Sequence, residues 1–171
     1  MVTNLALTIL GHSHLKVRYH LLARRMDRFF PRRLPAWLPP ALGHGATPPA
    51  GCVSTLRALP RELKRLGLTD VIWRVRLRKK QTIADLQTTL AAGHPTLIYG
   101  RWPSNGVPHV MVAAGHDETE DTWYLLDPGN TQTVFRRWTT PGLLAFWETY
   151  WVGPLRIYGQ GTMVVVTVGV E

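Results

Sequence analysis

Residues 71–78 alternate without a break: Val71, Trp73, Val75 and Leu77 fall on one side, and Ile72, Arg74, Arg76 and Arg78 on the other. A period of two is a half-exposed strand and excludes an amphipathic helix there. The C-terminal half of the chain has the same character. Residues 95–101 read as a strand, and 102–108 as a loop with Asn105-Gly106 at its tip. Two more strands, 109–115 and 122–127, flank a polar turn at 116–121. Residues 132–138 are a further candidate, and the apolar run 162–168 reads as a buried strand.

Helical signals come earlier and between these strands. Residues 4–10 read as a short apolar helix ended by Gly11. In 13–30, Leu15, Tyr19, Leu22, Met26 and Phe29 recur at spacings of three and four, and Pro31 stops the helix. The stretch 31–51 is rich in proline and glycine and reads as a long irregular connection. A short turn at 53–59 leads to a helix with Pro60 in its first position and Gly67 at its end. Thr82 and Asp85 stand in capping-box spacing, with Leu86 and Leu90 inward and Gly93 as the stop. Thr140-Pro141 opens a last helix through about 151. Helices first and antiparallel strands after is an α+β order. With 171 residues the expectation is a single domain, 1–44 helical and 45–171 helix plus antiparallel sheet.

Composition narrows the function classes. At 45% hydrophobic and 18% charged residues the chain is globular rather than disordered. No apolar run reaches the length of a membrane span, and no signal peptide is visible, so the default expectation is cytoplasmic. Cys52 is the one cysteine, which excludes an intramolecular disulfide. The net charge of +9 raises the question of nucleic acid. Basic residues cluster at Lys16–Arg33 and again at Arg74–Lys80.

The chemistry concentrates in 109–128. A hairpin centred on Glu118 sets His109 directly opposite Asp127 on one face. Opposite residues have Cβ atoms about 4.5–5.5 Å apart. A carboxylate there orients the imidazole and fixes its tautomer, which makes a general-base unit that needs only a nucleophile. The plainer alternative is a polar pair on a sheet face.

The run from Thr82 through Gly93-His-Pro95, then Pro108-His-Val-Met-Val-Ala-Ala-Gly-His-Asp117, then Trp123-Tyr-Leu-Leu-Asp-Pro-Gly129, resembles the bacteriocin-processing, double-glycine-leader cysteine peptidases and their looser bacterial relatives. The resemblance covers about residues 45–130. It implies a papain-like fold in which a cysteine at a helix N-terminus attacks a carbonyl, His109 is general base and acid, and Asp127 orients it. It implies a peptide or protein substrate and no cofactor.

Cys52 is the candidate nucleophile. It follows a glycine and precedes a helical stretch, a setting that lowers a thiol pKa. Against it, Pro60 cuts that helix short, and the spacing to His109 is shorter than the family shows. A second alignment puts the family's cysteine helix on Leu5–Leu10 and its cysteine at or before Met1. The nucleophile then lies upstream or is lost. The family's oxyanion-hole glutamine is not visible either, since no Gln precedes Gln81.

Two rivals come from other classes. His12, His14, His20, His109 and His116 suggest metal, but His12 and His14 do not share a helix face, and no carboxylate lies at the right spacing. A basic nucleic-acid module would use the basic residues with Trp37 and Trp73, but no known nucleic-acid signature is present. A catalytically silent papain-like domain that binds peptide also fits.

Overall fold

The computed structural model describes residues 56–57, 59–65, 67, 69, 71–127, 135–147 and 160–170. The expected helices at 4–10 and 13–30, the proline-rich connection and Cys52 lie outside the described residues. Helix α1 (Pro60–Arg65) starts at the expected proline. It ends where Gly67, at φ +82°, returns its N–H to Lys64 O at 3.1 Å. Strand β1 (Val71–Arg78) has the expected bounds. Trp73 and Val75 are buried, while Arg74, Arg76 and Arg78 are exposed.

Helix α2 (Ile83–Ala91) carries the full capping box. Thr82 accepts from the Asp85 N–H at 3.2 Å, and the Asp85 carboxylate accepts from the Thr82 N–H at 2.8 Å. These bonds to Thr82 hold the Asp85 carboxyl below the usual aspartate value of 3.8. Leu86 is buried completely, which contributes about 1.5–3 kcal/mol. Strands β2 (Thr96–Arg101), β3 (Pro108–Asp117), β4 (Thr122–Leu126) and β5 (Arg136–Trp138) follow. Helix α3 (Thr140–Trp147) and β6 (Met163–Val170) complete the order.

The strands form one six-stranded sheet in the order β1-β6-β2-β3-β4-β5. Each neighbouring pair in it is antiparallel. The last strand in sequence therefore sits inside the sheet, between β1 and β2. Met163–Val166 are all buried, so the sheet is covered on both faces along that part of β6. Among the described residues β1 is an edge strand, and its row of exposed arginines is the kind of charge that blunts an edge.

One face of the sheet carries a buried core. Ile98, Met111, Ala113, Trp123, Leu125, Met163 and Val165 pack there with Leu86 of α2 and with Leu143, Phe146 and Trp147 of α3. Leu56 is tied to β1: the Trp73 indole N–H donates to Leu56 O at 3.0 Å.

The β3–β4 register departs from expectation. Val112 pairs with Leu126 and Ala113 with Leu125, and a bulge follows between Ala113 and Gly115. The pairing is shifted by two residues from a hairpin centred on Glu118. The turn residues explain the shift: Asp117 Oδ1 accepts from the N–H groups of Thr119 and Glu120, and Asp121 adopts φ +43°. A shift of two preserves the face, so His109 and Asp127 are diagonal neighbours rather than opposite ones.

Gly100 pairs with His109 across β2–β3. A Cβ there would overlap the backbone oxygen and the ring of Phe146. The glycine lets α3 close on the end of the sheet that holds His109. Gly100→Ala is expected to destabilise the fold by about 1–3 kcal/mol, read from urea unfolding, with the near-UV aromatic signal changed before the far-UV one.

Candidate functional site

Three neighbouring strand ends build the site. His109 is the second residue of β3, Asp127 follows β4 directly, and Arg136 opens β5. In this register His109 is on the same face as Met111 and Ala113, and Arg136 pairs with Leu125. All three side chains therefore gather on the core face at one end of the sheet.

The contacts are close. His109 Nε2 lies 2.7 Å from Asp127 Oδ1. Arg136 Nε donates to Asp127 Oδ2 at 2.7 Å. The Asp127 side chain is only 3% exposed, against 21% for His109 and 34% for Arg136. A carboxylate that buried is held ionised only by paired cations or donors. An ionised carboxylate only accepts. Nε2 therefore carries its proton toward Asp127, and in the neutral ring the lone pair is on Nδ1. Among the described residues no hydrogen bond to Nδ1 is formed.

Trp102 fixes the ring from the side. Its centroid is 5.2 Å from that of His109. The Arg136 guanidinium lies 5.2 Å over the same indole. His109, Asp127, Arg136 and Trp102 thus form a closed ring of contacts, in which each member touches two others. Trp102 also meets Trp138 at 5.7 Å and Phe146 at 5.9 Å, edge to face.

Of the expected site residues, His109 and Asp127 are brought together, and Cys52 lies outside the described residues. Arg136 and Trp102 are additions that the sequence does not announce. Arg136 carries no sequence signal, because its partnership with Asp127 depends on the β4–β5 register. Trp102 sits beside the Asn105-Gly106 loop, where Gly106 at φ +68° returns its N–H to Trp102 O at 2.8 Å and so sets the indole's starting point.

His116 belongs to a different cluster, at the other end of β3. It stacks on Trp123 at 4.1 Å, and Gln87 Nε2 is 3.2 Å from its Nδ1. Asp121 Oδ1 stands 3.5 Å from His116 Nε2, a long contact rather than a well-formed hydrogen bond. Asp121 is instead bound by the Thr140 hydroxyl and N–H. Those two bonds, with a smaller contribution from His116, hold its carboxyl below 3.8. Asp121 so ties the β3–β4 turn to the start of α3. Among the described residues no cluster of three or more His, Cys, Asp or Glu could hold a metal ion.

No protein-family profile matches the chain, and no curated protein matches it. A crystal structure from Bacillus anthracis, described as a C39-like peptidase, is similar with a TM-score of 0.42 at 14% identity. The match covers 64% of this chain and 57% of that one, so the chain spans little more than half of that protein's length. Among the described residues no helix is long and apolar enough to cross a membrane.

Removing Arg136 leaves a buried carboxylate oxygen without its cation. Arg136→Met keeps the apolar stem and is expected to cost about 1–3 kcal/mol of stability in urea unfolding. The His109 ring signals should broaden as its orienting carboxylate loosens.

Proposed function

We propose that the chain is a papain-like, cysteine-peptidase-like domain that hydrolyses peptide or amide bonds by acyl transfer. His109 is the general base and acid, and Asp127 is its orienter. The observation that carries this reading is the 2.7 Å contact between His109 Nε2 and the buried Asp127 carboxylate. It leaves Nδ1 as the basic atom, at an imidazole that stays partly accessible.

Cys52 is the candidate nucleophile as the one thiol in the chain. His109 Nδ1 takes the thiol proton, and the thiolate adds to the substrate carbonyl. The C–N bond then breaks as His109 returns that proton to the leaving amine. Water, deprotonated by the same Nδ1, hydrolyses the thioester and restores the thiol. Asp127 keeps its charge throughout and stabilises the imidazolium in each half. Arg136 is a positioning residue, because it touches Asp127 and not the reacting atoms.

A second reading is a peptide-binding domain of the same fold without a working nucleophile. It is favoured by Pro60, which limits the length of any helix begun at Cys52.

A quenched-fluorescence peptide library and a thiol-alkylating probe separate the two. The first reading predicts that Cys52 is alkylated faster than free cysteine at neutral pH. It also predicts that His109→Ala lowers both alkylation and hydrolysis, by at least about 10²-fold for hydrolysis. Slow alkylation that ignores His109→Ala, together with no hydrolysis by the wild type, would assign the second reading.

A further inference from the structure

We propose that the arginine row of β1 docks an extended acidic segment of a partner protein, one that carries a carboxylate at every second residue. Arg74, Arg76 and Arg78 are all exposed, and the Trp73 and Val75 side chains between them are buried. A period of two puts the three arginines on one face of the sheet. Arg76 pairs with Val165 and Arg78 with Met163, so that face is the one on which α2 and α3 pack further in. The row runs along its margin, open to solvent. β1 is three strands from β3 in the sheet, so the row is separate from the His109–Asp127 pair.

The charges are not spent inside the fold. Among the described residues none of the three arginines forms an ion pair. The acid that faces the row is Asp85 of α2, near enough for the charge of Arg78 to help hold its carboxyl low. That carboxylate already accepts from the Thr82 N–H and hydroxyl, both at 2.8 Å. The arginines keep their capacity for an outside partner.

Spacing selects the anion. Every second residue of a strand advances about 6.6 Å. An extended peptide laid along the row repeats at the same interval, so alternate carboxylates meet successive guanidiniums in register, each in a two-point contact. A single-stranded nucleic acid needs exposed rings on which its bases stack, and the one ring on β1, Trp73, is buried. The net charge of +9 disfavours a second copy of this chain. Addition of a strand to the edge is hindered as well, because Arg57 donates to Val75 O from Nε and Nη2, each at 3.3 Å. Recognition therefore rests on the arginine side chains. A row that repels basic strands accepts one of opposite charge.

The test uses the whole chain at low salt and two peptides of one composition, Ac-Glu-Thr-Glu-Thr-Glu-NH2 and Ac-Glu-Glu-Glu-Thr-Thr-NH2. Each is titrated while the side-chain Nε–H resonances of Arg74, Arg76 and Arg78 are followed. The alternating peptide should shift all three saturably in the millimolar range, as suits so small a ligand, and added salt should weaken it. The block peptide should bind several-fold more weakly. Replacing all three arginines by glutamine should weaken the alternating peptide about tenfold, about twofold for each exposed pair lost. Arg76→Glu keeps the row charged and tests the register. It should bind Ac-Glu-Thr-Lys-Thr-Glu-NH2 more tightly than the wild type does. Absence of a saturable shift, equal binding of the two acidic peptides, or no gain in the charge swap overturns the proposal. So does a single-stranded oligonucleotide, or a vesicle of anionic lipid, that moves the same resonances at lower concentration than the alternating peptide. Either would assign the row to that partner instead.

Discussion

A carboxylate with 3% of its side chain exposed cannot be left alone in a protein interior, and the end of the sheet is organised around that constraint. Asp127 lies at the exit of β4, between strands that each supply a partner. His109 comes from β3 on one side and Arg136 from β5 on the other. The two oxygens are divided between them, so the carboxylate cannot rotate freely. The imidazole inherits that fixed direction, and Trp102 packs against it at a tilt of 30°. Gly100, across from His109, permits Phe146 to approach and seal the core beneath.

Most of the described elements are legible in the sequence because their local signals agree with their tertiary setting. The alternation in 71–78 and the capping box at Thr82 depend on neighbours in sequence, and both appear in the structure with the expected bounds. The pairing of His109 with Asp127 is legible for a more forgiving reason. A register error of two residues leaves both side chains on the same face, and a long imidazole spans the diagonal. An error of one would have separated them.

The features that sequence does not reveal are those set by non-local pairing. Nothing in residues 162–168 says that the strand inserts between β1 and β2, since burial on both faces fits several interior positions. The same holds for Arg136: it meets Asp127 because β5 pairs with β4 in one particular register. Sequence alone permits His116 and His109 to share a metal. A strand of ten residues keeps them at opposite ends. Among the described residues the basic stretch on β1 reads most simply as the guard of a sheet edge, with Arg74, Arg76 and Arg78 all exposed.

Asp127 fixes the tautomer of His109, so that the neutral ring has its lone pair on Nδ1. Long-range ¹H–¹⁵N correlation of the imidazole near neutral pH tests it directly. A protonated, pyrrole-type Nε2 and an unprotonated, pyridine-type Nδ1 are expected for the neutral His109 ring, with that distinction lost in Asp127→Asn. A proton on Nδ1, or rapid averaging of both tautomers in the wild type, would contradict it.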